Sequence, residues 1–198
     1  KSPSQILSYI DNIFEVILII SNYGKYKDAR NASWNILINY NINKLPVSVT
    51  DICKIENITL AKDSIVHLLN KNEFAKTMLI DDKWYIIYDD KMTNEKIRFS
   101  VAHELGHIFL GHPLSNGEYK RTFNIHKPSQ ETQADIFASR LLAPACILHE
   151  LGIVTPKGIS DVCNISLSSA EIRSKRILLL EKRNKWYIHP LEKEVYNL

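Results

Sequence analysis

The chain has 198 residues, of which 45% are hydrophobic and 24% are charged, and its formal net charge is +3 at pH 7. This length and composition fit a folded protein of one domain with at most a small appendage, and they exclude a disordered chain or a large multidomain protein. The charge excess is too small to indicate a nucleic-acid-binding protein by itself. The cysteines Cys53, Cys146 and Cys163 are widely spaced, so we expect reduced, buried thiols and no disulfide framework.

The first predicted elements are helices, because apolar residues recur at helical spacing over residues 4–21 and again over 28–42. Residues 13–20 form the longest apolar stretch. Glu15 interrupts this stretch, which is far shorter than the roughly 20 residues that cross a bilayer. Asp11 also disfavours a secretion signal, which has an uncharged core. We therefore expect no membrane span and a cytoplasmic location.

The middle of the chain changes from helical to strand periodicity. Short helices are predicted up to Ile55 and over residues 64–73. Residues 77–80 and 83–88 are rich in residues that favour strands, and Asp81-Asp82 between them is typical of a hairpin turn. The sequence therefore predicts a small β-sheet in this region.

The second half is mostly helical, with a predicted loop over residues 115–128 and a short terminal strand over 186–188. An α+β fold with one small sheet follows from this pattern. We divide the chain into an N-terminal helical extension, 1–43, a core, 44–155, and a C-terminal helical segment, 156–198. The helices predicted in the second half span residues 94–112, 130–142, 144–152, 156–164 and 166–183.

Residues 103–107 read His-Glu-Leu-Gly-His, the HExxH pattern, inside a predicted helix. His103 and His107 share one helix face, so both imidazoles can bind one metal ion. Glu104 lies beside that face, where it can take a proton from an attacking water. Gly106 lowers the stability of the helix, and we therefore expect another backbone to approach it closely.

A catalytic zinc site needs a third protein ligand and one open position. The metzincin spacing fails, because Pro113 stands where the third histidine of that pattern would be. The gluzincin arrangement takes a glutamate from a second helix, and Glu131 in the first turn of the helix 130–142 fits it. Asp135 lies on the same face, where it would accept a hydrogen bond from the free N–H of His103 and fix the ring.

Other residues compete with Glu131 for the third-ligand position. His126 lies in the predicted loop and can reach the cleft, and Asp135 offers a carboxylate of its own. His112 falls on the opposite side of the helix from His103, facing the core, and is a poor ligand.

Attack of a zinc-activated water on a carbonyl group would also need a group that stabilises the oxyanion that forms. Tyr119, Arg121 and His126 lie between the HExxH helix and the helix of Glu131, and each is a candidate. An ordinary solvated loop explains the same three residues equally well.

Over residues 28–180 the sequence resembles the ImmA/IrrE family of bacterial and phage metallo-endopeptidases. The strongest similarity is Arg98-Phe99-Ser100-Val101-Ala102 followed by the HExxH segment and Ile108-Phe109-Leu110-Gly111-His112. Further matching segments are Glu131-Thr132-Gln133-Ala134-Asp135-Ile136-Phe137-Ala138, Leu141-Leu142-Ala143-Pro144, Leu45-Pro46-Val47 and the Trp84–Tyr88 strand.

The resemblance implies a zincin-like metallopeptidase core with one Zn²⁺ per chain. Its implied ligands are His103, His107 and Glu131, and its implied base is Glu104. The known members cut a helix-turn-helix repressor that is encoded nearby, so the implied partner is such a protein. This chain departs from the commonest family pattern at Gln133 and Asp135, and neither change removes a metal ligand. A site of two histidines and one glutamate also accepts manganese.

Two alternative functions are compatible with the sequence. Residues 156–183 resemble part of a helix-turn-helix, with Arg173, Lys175 and Arg176 on its second helix, which would suit a DNA-binding regulator. Apolar residues on that helix favour packing instead, so we do not expect nucleic acid as a partner. The same segment could recognise a repressor substrate. A non-hydrolytic, antitoxin-like interaction module is the other alternative, although the intact Glu104 argues against it.

Overall fold

The computed structural model of the chain describes residues 26–113, 118–122, 129–184 and 186–198, with the backbone alone for 118–122 and for Ser129. The predicted helix 4–21 lies outside the described residues. Helices dominate and one sheet accompanies them, which confirms the predicted α+β fold. The helices are α1 Lys27–Asn39, α2 Val49–Ile55, α3 Asp63–Val66, α4 Asn94–Phe109, α5 Ser129–Leu142, α6 Ala145–Glu150, α7 Pro156–Cys163, α8 Leu167–Arg183 and α9 Pro190–Tyr196. The strands are β1 Thr59–Lys62, β2 Glu73–Ile80, β3 Lys83–Tyr88 and β4 Glu118–Thr122.

The sheet has the strand order β1-β3-β2-β4. The predicted hairpin is confirmed: β2 and β3 pair antiparallel up to Ile80 opposite Lys83. Asp81 and Asp82 between them have positive φ angles of 48° and 58°, which match the right-handed twist of a two-residue hairpin. β1 pairs in parallel with β3, and β4 pairs antiparallel with β2.

The secondary structure differs from the prediction in several segments. In place of the helix 64–73, α3 makes one turn and ends at His67 in the left-handed conformation. The Asp63 carboxylate then accepts the backbone N–H groups of Leu68 and Leu69, which competes with continued helix. In place of a terminal strand over 186–188, the N–H of Tyr187 donates to Glu192 as the chain enters α9. The predicted loop 115–128 contains β4.

Helices α4 and α5 form the centre of the fold. The Gly106 position lies so close to α5 that an added Cβ would be 3.1 Å from the Cα of Ala134 and 3.1 Å from the ring of Phe137. This close approach confirms the reason expected for a glycine inside α4. On its other sides α4 contacts β2 and β3, while α1 packs on α5. The pair of helices therefore lies between the sheet and α1.

The C-terminal helices are fixed to this centre by hydrogen bonds to backbone carbonyls. The buried guanidinium of Arg173 on α8 donates to the carbonyl of Ala143 at 2.6 Å. Arg98 on α4 donates to the carbonyls of Cys163 and Asn164 at the end of α7. Arg173 is thus engaged inside the protein, and the helix-turn-helix character of this segment stays a prediction.

All three cysteines are free and buried, as predicted. In the part of the chain that is described, no helix combines the length and the apolar character that crossing a bilayer requires.

Candidate metal centre

Three predicted ligands converge at the junction of α4 and α5. The Nε2 atoms of His103 and His107 are 3.1 Å apart. Glu131 Oε2 lies 3.3 Å from His103 Nε2, and Glu131 Oε1 lies 3.2 Å from His107 Nε2. Ligand atoms about 2.05 Å from a tetrahedral zinc are separated by about 3.3 Å, so this donor set has the spacing that zinc requires.

The chain positions these candidate ligands through a one-turn spacing on α4 and the first turn of α5. His103 and His107 are four residues apart on α4 and are almost fully buried, while Glu131 lies in the first turn of α5. Among the described residues, these three form the group of His, Cys, Asp or Glu side chains whose ligand atoms lie within 4.8 Å of one another. Although burial opposes it, hydrogen bonds with His103 and His107 hold the pKa of Glu131 well below its ordinary value. Two neutral imidazoles and one carboxylate suit Zn²⁺.

Glu104 lies beside the ligands and is fully buried. Its Oε2 accepts a hydrogen bond from the hydroxyl of Thr77 on β2 at 2.8 Å. Its Oε1 is buried without a hydrogen-bond partner among the described residues. Burial raises the pKa of Glu104 above its ordinary value. A carboxylate with one oxygen fixed and the other open is suited to holding a water and taking its proton.

The outer nitrogen of each candidate ligand histidine has a partner that fixes the ring. His103 Nδ1 lies 2.8 Å from Asp135 Oδ1, as the spacing of Glu131 and Asp135 predicted. His107 Nδ1 lies 2.9 Å from the Nδ1 of His112. Because Asp135 contacts the outer side of His103, it takes no part in the three-ligand cluster.

The expected position of His112, facing the core on the far side of the helix, is wrong. The helix ends at Phe109, and Gly111 with φ of 62° turns the chain back, so the His112 ring reaches His107. Helical angles apply only while the helix continues, and the prediction extended it three residues too far. The other ring nitrogen of His112 lies 3.3 Å from Gln133 Oε1 on α5.

These contacts are satisfied by one assignment of protons to the ring nitrogens of His107 and His112. When His107 binds metal through Nε2, its proton is on Nδ1 and can be donated to Nδ1 of His112. His112 then carries its proton on Nε2 and donates it to the amide oxygen of Gln133. Burial lowers the pKa of His112, which favours the neutral ring that this pattern needs. The chain therefore orients one candidate ligand, His103, through a carboxylate and the other, His107, through a further histidine.

The predicted oxyanion stabilisers are only partly located. The backbone of residue 119 lies opposite Thr77 in the β2–β4 ladder, and that of residue 121 lies opposite Ala75. The side chains of Tyr119 and Arg121 and all of His126 lie outside the described residues. Their roles, and the competition of His126 for the third-ligand position, stay predictions.

Sequence reasoning missed three residues that contact the site: Thr77, His112 and Gln133. Thr77 is a buried residue of strand β2. Threonine is common in strands, so a single sequence does not show that this one contacts Glu104. Gln133 was noted only as a departure from a family pattern. The contact between Gln133 and His112 could be predicted only if the turn at Gly111, which brings His112 towards α5, were already known.

Comparison with known proteins finds a family match that includes the residues of this cluster. The family described as "IrrE N-terminal-like domain", peptidase family M78, matches residues 53–173, which include all three clustered residues and Glu104. "Metallopeptidase ImmA" of Bacillus subtilis (strain 168) is 29% identical over 103 residues. That alignment covers 52% of this chain and 58% of the relative, so the chain spans less than two thirds of the curated relative that it matches. The family match extends over more than half of the chain, and the chain therefore belongs to the ImmA/IrrE family of peptidases.

Proposed function

We propose that the chain is a zinc-dependent endopeptidase that hydrolyses a peptide bond in a specific protein substrate. The observation that carries this proposal is the convergence of His103, His107 and Glu131 beside the buried Glu104. Membership of a peptidase family and similarity to a metallopeptidase support it.

In this proposal each residue has a separate role. His103, His107 and Glu131 hold the ion, one Zn²⁺ per chain. When bound, zinc would act as a Lewis acid that polarises the scissile carbonyl and lowers the pKa of a water. Glu104 takes the proton of the attacking water on its open oxygen and later gives it to the leaving amine. Thr77 keeps the other oxygen of Glu104 in place, and Asp135 and His112 orient the two imidazoles.

The proposed substrate is a helix-turn-helix repressor of a phage, a mobile element or a stress response, cleaved in the cytoplasm. This assignment follows from the resemblance to the family. We expect a narrow substrate range, because unrestricted proteolysis would damage the cell that contains the enzyme.

The proposal is tested by incubating zinc-loaded protein with purified helix-turn-helix repressors encoded near its gene. Mass spectrometry of the products locates the cut, and Glu104→Gln serves as the matched control that keeps the three ligands. We expect a single cut by the wild type and none by the variant. Intact repressors, or equal cleavage by both proteins, would contradict the proposal, and rapid digestion of casein would contradict the narrow range.

A further inference from the structure

The turn that ends α4 returns the chain to the candidate metal centre. The backbone N–H of Gly111 donates to the carbonyl of Ile108, and that of His112 donates to the carbonyl of His107 at 3.1 Å. With the positive φ of Gly111, these two bonds form a Schellman motif, which places the side chain of its last residue against the final helical turn. Here the rings of His112 and His107 meet, with centroids 4.9 Å apart. The helix end therefore delivers a second imidazole to a candidate ligand.

The hydrogen bond between these two rings has a fixed direction when His107 serves as a ligand. Nε2 of His107 lies 3.2 Å from Glu131 Oε1, within the three-residue cluster, so its Nδ1 atom carries the ring proton. Nδ1 of His112 lies 2.9 Å from that nitrogen and accepts the hydrogen bond. A neutral imidazole has one ring proton, so the proton of His112 is on Nε2.

Gln133 receives this second proton. Its Oε1 lies 3.3 Å from His112 Nε2, and an amide oxygen accepts a hydrogen bond but does not donate one. In the opposite tautomer of His112, two Nδ1 protons would face each other across 2.9 Å, and the bare Nε2 would face the amide oxygen. His112 is buried, so a ring nitrogen left without a partner is costly. The amide oxygen of Gln133 therefore selects the tautomer of His112 that His107 needs.

The other candidate ligand histidine is supported from a different side of α5. His103 Nδ1 lies 2.8 Å from Asp135 Oδ1. Gln133 and Asp135 are two residues apart, so their side chains project about 200° apart around the helix. The Asp135 carboxylate fixes the ring of His103 alone. The orientation of His107 thus depends on the support that comes through His112.

We propose that Gln133 is a positioning residue that holds His107 in its metal-binding tautomer and orientation through the ring of His112. The chain of contacts from Gln133 through His112 to His107 is called the His112 relay below. The proposed function assigns Gln133 no role. The inference rests on that function only for the metal ion, because the relay acts on metal binding and takes no part in hydrolysis.

A double-mutant cycle on zinc affinity tests the His112 relay in the full chain, by competition with a chromophoric chelator. Gln133→Met has a side chain of similar length without the amide oxygen, so it removes the acceptor for His112. We expect it to weaken zinc binding about 3–10-fold, because Gln133 is one contact further from the metal than His112. In the His112→Ala background the same substitution is expected to change the affinity by less than about 2-fold, because the residue that transmits its effect is absent.

Matched variants separate positioning from general effects on the helix. Gln130→Met makes the same exchange at an exposed position of α5 and is expected to change zinc affinity by less than about 2-fold. Gln133→Glu keeps an oxygen acceptor for His112 and is expected to retain at least the wild-type affinity. If Gln133→Met does not fold, Gln133→Asn takes its place, because its shorter side chain withdraws the acceptor.

A spectroscopic measurement reads the tautomer directly. Long-range ¹H–¹⁵N correlation spectra of the zinc-loaded protein show which ring nitrogen of a histidine carries the proton. We expect Nε2 for His112 and Nδ1 for His107 in the wild type.

The inference is overturned by any of four results. These are wild-type zinc affinity in Gln133→Met, an equal loss from this substitution in the His112→Ala background, an equal loss in Gln130→Met or Gln133→Glu, and a His112 proton on Nδ1. None of these measurements needs a substrate. A confirmed relay in a protein that cleaves no repressor would leave the inference standing and contradict the proposed peptidase. Cleavage of a repressor, with zinc affinity unaffected by Gln133→Met, would leave the peptidase standing and overturn the relay.

Discussion

Two groups of buried and partly buried polar side chains in the described part of the chain have their hydrogen-bonding needs met in different ways. At the junction with α8, Arg98, Arg173 and Ser174 each donate to backbone carbonyls left open at helix ends and loops. At the candidate metal centre, the Nε2 atoms of His103 and His107 lie within 3.3 Å of the Glu131 carboxylate, and Glu104 keeps one buried oxygen without a partner among the described residues. Buried side chains that donate to backbone carbonyls satisfy those carbonyls and stabilise the fold. Side chains that converge on one another and leave a hydrogen-bond acceptor unsatisfied are suited to binding a ligand.

The largest effect is expected for Glu104→Gln, which separates catalysis from metal binding at the candidate metal centre. Glu104→Gln keeps the hydrogen-bond acceptor for Thr77 but cannot take a proton, so we expect kcat/KM to fall roughly 10²–10⁴-fold. The zinc content is expected to stay at one per chain, because Glu104 is not a ligand. Peptide cleavage assays and metal analysis on the same preparation measure both. Full activity in the variant would remove Glu104 from the mechanism.

The next largest effect is expected for a substitution of Arg173, which should change the free energy of unfolding and leave metal binding unchanged. Arg173→Met leaves the buried carbonyl of Ala143 without its donor, and we expect unfolding to become easier by about 1–3 kcal/mol. Denaturant unfolding of the variant is compared with that of Lys175→Met, an exposed neighbour on α8 that should change stability by less than about 0.5 kcal/mol. If Arg173→Met instead lost zinc at unchanged stability, the division between the two groups would be wrong.

A smaller effect tests the histidine that orients a ligand. His112→Ala removes the acceptor of the His107 Nδ1 proton, and we expect the affinity for Zn²⁺ to weaken about 10–100-fold. Competition with a chromophoric chelator measures the dissociation constant. His112→Asn, which offers an amide oxygen, should recover part of the affinity, and His67→Asn serves as a histidine control outside the centre. An unchanged affinity for Zn²⁺ in His112→Ala would contradict the orienting role of His112.

The smallest effect concerns a third kind of buried group, the thiols. Burial raises the pKa of Cys53 to about 12 and the pKa values of Cys146 and Cys163 to about 11. Because the thiolate is the nucleophile, native protein at pH 8 should resist iodoacetamide, while denatured protein should react at all three positions. Intact-mass spectrometry counts the adducts. Rapid labelling of the native chain would mean that one thiol is exposed and reactive.

Prediction from the sequence succeeded where the signal was local and periodic. The HExxH spacing, the Asp81-Asp82 hairpin and the glycine at the α4–α5 crossing each depend on a few neighbouring residues, and the structure has all three features. Prediction of Glu131 and Asp135 used the spacing between two helices, and the structure brings them to His103 and His107. The family match covers residues 53–173, a range that includes all four of these residues.

Prediction failed where the geometry depended on a chain reversal or on long-range pairing. The left-handed Gly111 brings His112 to His107, and no helical projection could anticipate it. β1 and β4 are short strands that pair with partners distant in sequence, so their own residues give a weak signal. The helix predicted over 64–73 failed because Asp63 caps the chain after one turn.

The central claim is that His103, His107 and Glu131 form one metal site. It is tested most directly by measuring metals with inductively coupled plasma mass spectrometry on protein purified without chelators, comparing wild type with Glu131→Ala. The account predicts one zinc per wild-type chain and a large loss in the variant. A wild type that contains no metal and takes up none when zinc is added would contradict the account.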